Sequence, residues 1–189
     1  MGSPMTRRAA LAAAVIVSTL LLPACGPDTN DAEPAPSAHS MRELCAYPQA
    51  FLTQWYKVTA FDVTVKPATR KDGNVERFGG CLYQNADTTP ANIDVLPTRY
   101  VGGVSLGFDD GRNVLGSADG RSDRPRTVQG VPVTATLAPK TADGAQYLTL
   151  SAVLDGWRGE LEIYVKDENA PQIDGAAQLV VEMIQDLRG

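Results

Sequence analysis

The sequence has very little histidine, the residue on which many catalytic and metal sites depend. His39 is the only histidine among 189 residues, and it precedes the predicted folded domain. That domain therefore cannot contain a Ser-His-Asp triad, a Cys-His pair, a histidine zinc site or a histidine pH switch. It also lacks the glycine motifs that bind nucleotide phosphates. We expect a protein that is not an enzyme and uses no cofactor or metal. The one enzymatic class left open is a cryptic hydrolase with a Ser-Lys dyad or a carboxylate pair, which leave no reliable sequence trace.

Basic and aromatic residues are also scarce. The chain has 17 basic residues against 22 acidic ones, and aromatic residues make up 6%. Removing the N-terminal segment described next leaves 15 basic residues and a formal net charge of −7. An acidic domain is a poor partner for nucleic acid, so we expect none. The modest aromatic content does not indicate a large apolar cavity.

No apolar run is long enough to span a membrane. The longest, 9–22, falls short of the roughly 20 residues that a transmembrane helix needs. It follows Arg7-Arg8 and leads into Leu22-Pro23-Ala24-Cys25, the layout of a bacterial lipoprotein signal. We predict a signal peptide over 1–24 and acyl groups (palmitate) on Cys25. These groups would hold the protein on the outer face of the cytoplasmic membrane. The alternative is an ordinary cleaved secretory peptide.

Three cysteines are few, and an odd number is unusual in an exported protein. Assigning Cys25 to lipid leaves Cys45 and Cys81, which can pair in an oxidising compartment. The alternative is a reactive or metal-binding thiol pair, although the spacing is not that of a CxxC motif.

The remaining chain divides into a linker and one domain. Residues 25–40 are proline-rich and carry no large apolar side chain, so we predict a flexible tether. Residues 41–189 have the usual size of a single domain. Ser40 and Glu43 form a capping-box pattern at the start of a helix, and Pro48 ends that helix or begins a second one. The C-terminal segment is predicted to be a last helix, because Ile173, Ala177, Val180, Ile184 and Leu187 fall at helical spacing.

Between the helices the apolar pattern changes to a period of two. Pro132 indicates an edge strand, and Asp155 to Gly159 has the chemistry of a hairpin turn. We predict an α+β fold: a twisted antiparallel sheet of about six or seven strands, with the N- and C-terminal helices packed on one face. The predicted strands start at Phe61, Val75, Ile93, Val101, Val131, Tyr147 and Glu160.

Two segments carry candidate binding residues. The glycine-rich loop 109–126 contains Arg112, Arg121, Arg124 and Arg126 among aspartates. These arginines could bind phosphate or carboxylate, but a solvated loop with balanced charges is the commoner explanation. The aspartates lack the spacing of a calcium loop.

The second segment is the 155–159 turn. Trp157 at its tip, beside Arg158, could anchor a partner, or its ring could fold back over the sheet. Glu160 and Glu162 lie on the same face of the following strand. They fit a carboxylate pair, but they also fit the ordinary polar side of a half-exposed strand.

Several motifs resemble a family of actinobacterial cell-envelope lipoproteins catalogued as a domain of unknown function. The resemblance lies in Leu44-Cys45 ahead of a short helix, Gly80-Cys81-Leu82-Tyr83, Val128-Gln129-Gly130-Val131 and the alanine-rich helix from Gly175. It implies an envelope location and a Cys45–Cys81 disulfide, with no assigned activity and no catalytic residues. Tyr83 stands where the family more often has tryptophan. The chain also resembles the extracellular sensor domains of actinobacterial receptor kinases, which usually carry two disulfides.

Together these features predict a lipid-anchored, non-enzymatic envelope protein that binds a protein partner or an envelope component. The alternative is a carrier of a small amphiphile, such as a lipid or glycolipid, held between the sheet and the helices.

Overall fold

The computed structural model describes residues 34–87, 98–112, 114–115, 121–122, 125–142, 144–167 and 169–189. The predicted strand at Ile93, like Cys25 and Arg124, lies outside these residues. The helices are α1 (Met41–Ala46), α2 (Gln49–Tyr56) and α3 (Gln172–Leu187), with a 3-10 turn at Ala68–Arg70. The strands are β1 (Phe61–Lys66), β2 (Phe78–Asn85), β3 (Tyr100–Phe108), β4 (Arg121–Ser122), β5 (Arg126–Val128), β6 (Val131–Leu137), β7 (Tyr147–Leu154) and β8 (Trp157–Tyr164).

The strands form one antiparallel sheet in the order β1-β2-β3-β8-β7-β6-β4. Short β5 also pairs with β6, beside β4, so the two share one edge position and the sheet is seven strands wide. This confirms the predicted α+β fold. Pro132 is not in an edge strand, however, because β4 and β5 cover β6. It pairs with Thr127 in the first part of β6, before the ladder to β7 begins at Val133, so its missing N–H interrupts no bond to β7.

All three helix starts agree with the sequence patterns. Ser40 and Glu43 form a complete capping box at α1, in which each side chain binds the other residue's backbone N–H. Pro48 is the N-cap of α2. In α3 the predicted apolar positions are all buried: Ile173, Ala177, Val180, Ile184 and Leu187.

One face of the sheet, here called the helix face, is covered by the helices and holds the core. α1 packs over β2 and β3, and α3 over β7 and β8. Helix α3 lies so close to β8 that a Cβ built on Gly159 would lie 2.6 Å from Cγ1 of Ile184. A disulfide between Cys45 and Cys81 joins α1 to β2, as predicted, with 5.5 Å between the two Cα atoms.

The β7–β8 turn is shorter than predicted. It consists of two residues, Asp155 and Gly156, with positive φ angles of 50° and 77°, the backbone of a type I′ turn. Strand β8 consequently begins at Trp157. Trp157 therefore lies within a strand and not at the tip of the hairpin.

The predicted linker 25–40 is too long at its C-terminal end. Residues 34–40, here called the strap, pack on the domain. Within the strap, Ser37 is buried and its hydroxyl donates to the Leu187 carbonyl over 2.5 Å. The His39 carbonyl accepts from the Val75 amide over 2.8 Å. These hydrogen bonds tie the strap to the end of α3 and to the segment before β2. Residues 25–33 lie outside the described part.

Candidate functional site: an arginine-lined cleft

The face of the sheet opposite the helices, here called the second face, is built from small and polar residues. Strand alternation places Gly103, Ser105 and Gly107 of β3 there. The same alternation in β8 places Arg158, Glu160 and Glu162 on this face. The loop after β3 folds back over part of it, as shown by the contacts of Glu160.

Glu160 is completely buried beneath this loop. Its carboxylate accepts hydrogen bonds from the Val114 amide at 2.9 Å and the Leu115 amide at 2.7 Å. The Ser105 hydroxyl donates to it as well, at 3.3 Å. The half-exposed position expected from alternation is therefore wrong for Glu160. A buried carboxylate needs such donors, and here they fasten the loop to the sheet.

Glu162 is half-buried and has its own partners. The Tyr100 hydroxyl donates to it over 2.6 Å, and the Thr149 hydroxyl over 3.3 Å. Burial raises the pKa of Glu162, and the neighbouring charge of Glu160 adds to the rise. Burial also raises the pKa of Tyr100, as does the Glu162 carboxylate. The two carboxylates thus serve as acceptors for groups of the protein itself.

A cleft of about 560 Å³ opens at the end of the second face next to the β7–β8 turn. Its volume lies within the range of small-molecule sites. Three guanidinium groups and three apolar side chains meet there. The described lining residues are Arg77, Phe78, Ser105, Gly107, Phe108, Asp110, Arg112, Val114 and Arg158; neither Glu160 nor Glu162 is among them.

Arg158 is held in the cleft wall by hydrogen bonds to Asp109 and Ser151. Its Nε and Nη2 donate to one oxygen of Asp109 at 2.8 and 2.7 Å, and Nη1 donates to the Ser151 hydroxyl at 2.9 Å. Its side chain is only 18% exposed. These contacts hold the guanidinium in one orientation at the cleft wall.

Arg112 and Arg77 are held differently. The Arg112 side chain is 82% exposed and donates from Nε to Asp110 over 2.9 Å. This contact, with the Arg112 backbone N–H, lowers the pKa of Asp110. The Arg77 guanidinium lies over the Phe108 ring, 5.6 Å from its centroid. Among the described residues, three guanidiniums and the carboxylates of Asp109 and Asp110 thus meet at the cleft.

The predicted binding residues separate in space. Arg112 and Arg158 lie together in the cleft. Arg126 pairs with Asp174 in the first turn of α3, over 3.2 Å. For Arg121 the structure describes the backbone, in β4, and not the side chain.

Trp157 does not belong to the site. It is 1% exposed, and its ring packs edge-on against Phe108 with centroids 4.7 Å apart. Its place on the helix face follows from the short turn, and the interpretation in which the ring folds back over the sheet is the one observed.

Sequence reasoning missed Arg77. Its only signal was a basic residue inside a predicted strand, and the pairing of β2 with β3 is what brings it to the cleft.

Little space remains between the sheet and the helices. The gap lined by Tyr47, Val104, Leu161 and Met183 has no volume that a water molecule could occupy, which is far below the size of small-molecule sites. Within the described residues, no three His, Cys, Asp or Glu side chains are grouped to hold a metal ion. Across the same ranges, no helix is long and apolar enough to cross a membrane.

The arginine cleft is therefore the candidate site, and what it can do chemically is bind an anionic group next to an apolar one. Comparison of the chain with protein-family models, with curated proteins and with solved structures finds no match for any of the three.

Proposed function

We propose that this chain is a lipid-anchored, extracytoplasmic envelope protein without catalytic activity, and that its cleft binds an anionic group of an envelope component or partner. The convergence of Arg77, Arg112 and Arg158 on one cleft carries the proposal. Guanidinium groups donate in pairs to phosphate and carboxylate oxygens, which makes arginine the preferred residue for both. The three guanidiniums gather at one place on a chain with a formal net charge of −5, and locally clustered cations attract anionic ligands.

The arrangement of the arginine side chains in the cleft supports binding. Arg158 is oriented by Asp109 and Ser151 before any ligand arrives, so little side-chain entropy is lost on binding. Arg112 is exposed, and its ion pair with Asp110 is of the surface kind that contributes about 0–1 kcal/mol. A stronger acceptor can displace that pair at small cost.

The location rests on the sequence. The signal pattern ending at Cys25 and the family resemblance support an anchor on the outer face of the cytoplasmic membrane. Cys25→Ala should release the protein from membranes and abolish acyl labelling. Membrane retention of a variant that still takes up label would contradict the anchor.

A carrier that holds an amphiphile between the sheet and the helices gains no support from the structure. The described gap there has no volume that a water molecule could occupy. Glu160 and Glu162 accept hydrogen bonds from groups of the protein itself, which gives both carboxylates a structural role that requires no catalysis.

The binding proposal is tested with the soluble chain 26–189, exported so that the disulfide forms. The described core and the disulfide lie in one compact unit, 33–189, so we expect this chain to fold. Titration with inorganic phosphate, followed by ¹H–¹⁵N NMR, should shift the signals of Ser105, Gly107 and the arginine Nε–H groups in a saturable way. Chloride at the same ionic strength is the control.

Two variants locate the site. Arg112→Gln should weaken phosphate binding about tenfold, since a hydrogen bond to a charged group contributes about 1.5–3 kcal/mol. Arg99→Gln is the matched control, because Arg99 is exposed, is paired with Asp62 and adjoins the opposite end of β3. Equal binding by Arg112→Gln and the unmodified chain, or the absence of any saturable shift, would overturn the proposal.

A further inference from the structure

The strap enters the domain beside the cleft. Pro34, its first residue, lies against the β7–β8 turn, since a Cβ built on Gly156 would be 2.6 Å from Cγ of Pro34. The same turn reaches the loop after β3, because the Gly156 carbonyl accepts from the Asp109 amide over 2.9 Å. Asp109 in turn holds Arg158 in the cleft wall. Three successive contacts therefore connect the entry point of the strap to the cleft.

Covalent reach limits how far this end of the domain can lie from a membrane anchor. Cys25 and Pro34 are nine positions apart, and a fully extended chain of that length spans at most about 30 Å. The opposite end of the sheet lies a further strand length away, since the nine residues of β3 extend about 30 Å. An acyl anchor at Cys25 therefore keeps the cleft end within reach of the bilayer headgroups.

The residues that line the cleft are of the kinds that interact with the headgroup layer of a membrane. Arg112, 82% exposed, provides donors for phosphate oxygens, and Arg77 and Arg158 place further cationic groups beside it. Phe78 and Phe108 add apolar surface, and Val114, at 52% exposure, is one of only two exposed large apolar side chains among the described residues. An apolar side chain next to cations suits the boundary between headgroups and acyl chains.

We infer that the cleft faces the membrane and binds the phosphate of a membrane-lipid headgroup, with Arg112 contacting its oxygens and Val114 resting on the interface. The inference depends on the proposed function, because it names the ligand class of the same cleft. A phosphate-bearing headgroup and a free phosphate share this chemistry, and the experiment below separates these two sources.

The test is flotation of the soluble chain 26–189 with vesicles of phosphatidylcholine alone or with about one third phosphatidylglycerol. The chain should float with the phosphatidylglycerol vesicles. Arg112→Gln should reduce the vesicle-bound fraction roughly tenfold at subsaturating lipid, and Arg99→Gln should leave it unchanged. Equal flotation of both variants would overturn the inference.

The parallel titration with inorganic phosphate separates the two proposals. Saturable NMR shifts at Ser105 and Gly107 without flotation would refute the membrane-lipid ligand and leave the anion cleft standing. Absence of both shifts and flotation would remove the cleft as an anion site altogether.

The orientation of the domain relative to the membrane is measured by hydrogen–deuterium exchange on the acylated full chain in phosphatidylglycerol-containing bilayers. Peptides covering 105–112 and 155–158 should exchange more slowly than in detergent. Peptides covering 59–62 and 98–100, at the opposite end of the sheet, should not change. Slowing confined to that opposite end would refute the inferred orientation.

Discussion

Removing the Glu160 carboxylate should detach the loop after β3 from the sheet. The carboxylate is fully buried and accepts from two backbone amides, at Val114 and Leu115, and from Ser105. Hydrogen bonds to a charged group contribute about 1.5–3 kcal/mol each, and buried donors left without an acceptor add their own cost. We expect Glu160→Ala to lower the free energy of unfolding by about 3–5 kcal/mol.

A second variant separates the charge from the shape of the side chain. Glu160→Gln keeps one acceptor oxygen and replaces the other with an amide group, which cannot accept from a backbone N–H. We expect a loss of about 1–3 kcal/mol. Glu76→Gln is the matched control, because Glu76 forms an exposed ion pair with Arg70, and such pairs contribute about 0–1 kcal/mol.

Urea unfolding followed by circular dichroism measures all three changes. Amide hydrogen exchange at Val114 and Leu115 adds a local measurement, since both amides should lose protection in Glu160→Ala. A Glu160→Ala protein within about 0.5 kcal/mol of the unmodified chain, or one with unchanged protection at both amides, would refute the account of the loop.

Three further predictions concern stability. Burial raises the pKa of Glu162 above its ordinary value of 4.5, so its contribution to stability is full below that value and is lost as the pH rises through the folded-state pKa. The free energy of unfolding of Glu162→Gln, relative to that of the unmodified chain, should therefore increase from about pH 4 to about pH 8. Urea unfolding at both pH values measures this difference, and the same difference at both would refute the prediction. Replacing Cys45 and Cys81 by alanine should cost about 4 kcal/mol, from the loop entropy of a sequence separation of 36, and an unchanged urea midpoint would contradict it. Gly159→Ala should lower the free energy of unfolding by about 1–3 kcal/mol, because the added methyl group overpacks against α3. Gly175→Ala should raise it by about 0.5–1 kcal/mol, since its new Cβ would lie 3.4 Å from the Phe51 ring. Calorimetry that finds the same sign for both changes would refute the packing argument.

The elements predicted correctly depend on contacts within a few residues. The capping box at Ser40 and Glu43 and the apolar spacing in α3 have local causes, so their patterns appear directly in the sequence. The same holds for the Asp155–Gly156 turn, although the sequence suggested a longer loop. The pairing of Cys45 with Cys81 followed from counting cysteines.

The cleft and the strap could not be predicted in this way. Arg77 and Arg158 are 81 positions apart in the sequence, and they meet because β2, β3 and β8 lie side by side. The strap resembles a flexible tether in composition, yet Ser37 hydrogen-bonds to Leu187, 150 residues away. No local pattern carries information about such partners.

The sequence by itself determined the class of fold, the disulfide partners and the expectation of an exported, anchored protein. These properties depend on composition, on periodicity and on short motifs. The tertiary structure decided which charges are buried and which meet. Alternation made Glu160 a surface residue, and the predicted hairpin tip left Trp157 either exposed or folded back over the sheet. The loop over one face buried Glu160, and the helices over the other buried Trp157. Burial is a property of what covers a strand, and that is set by chain segments far away in the sequence.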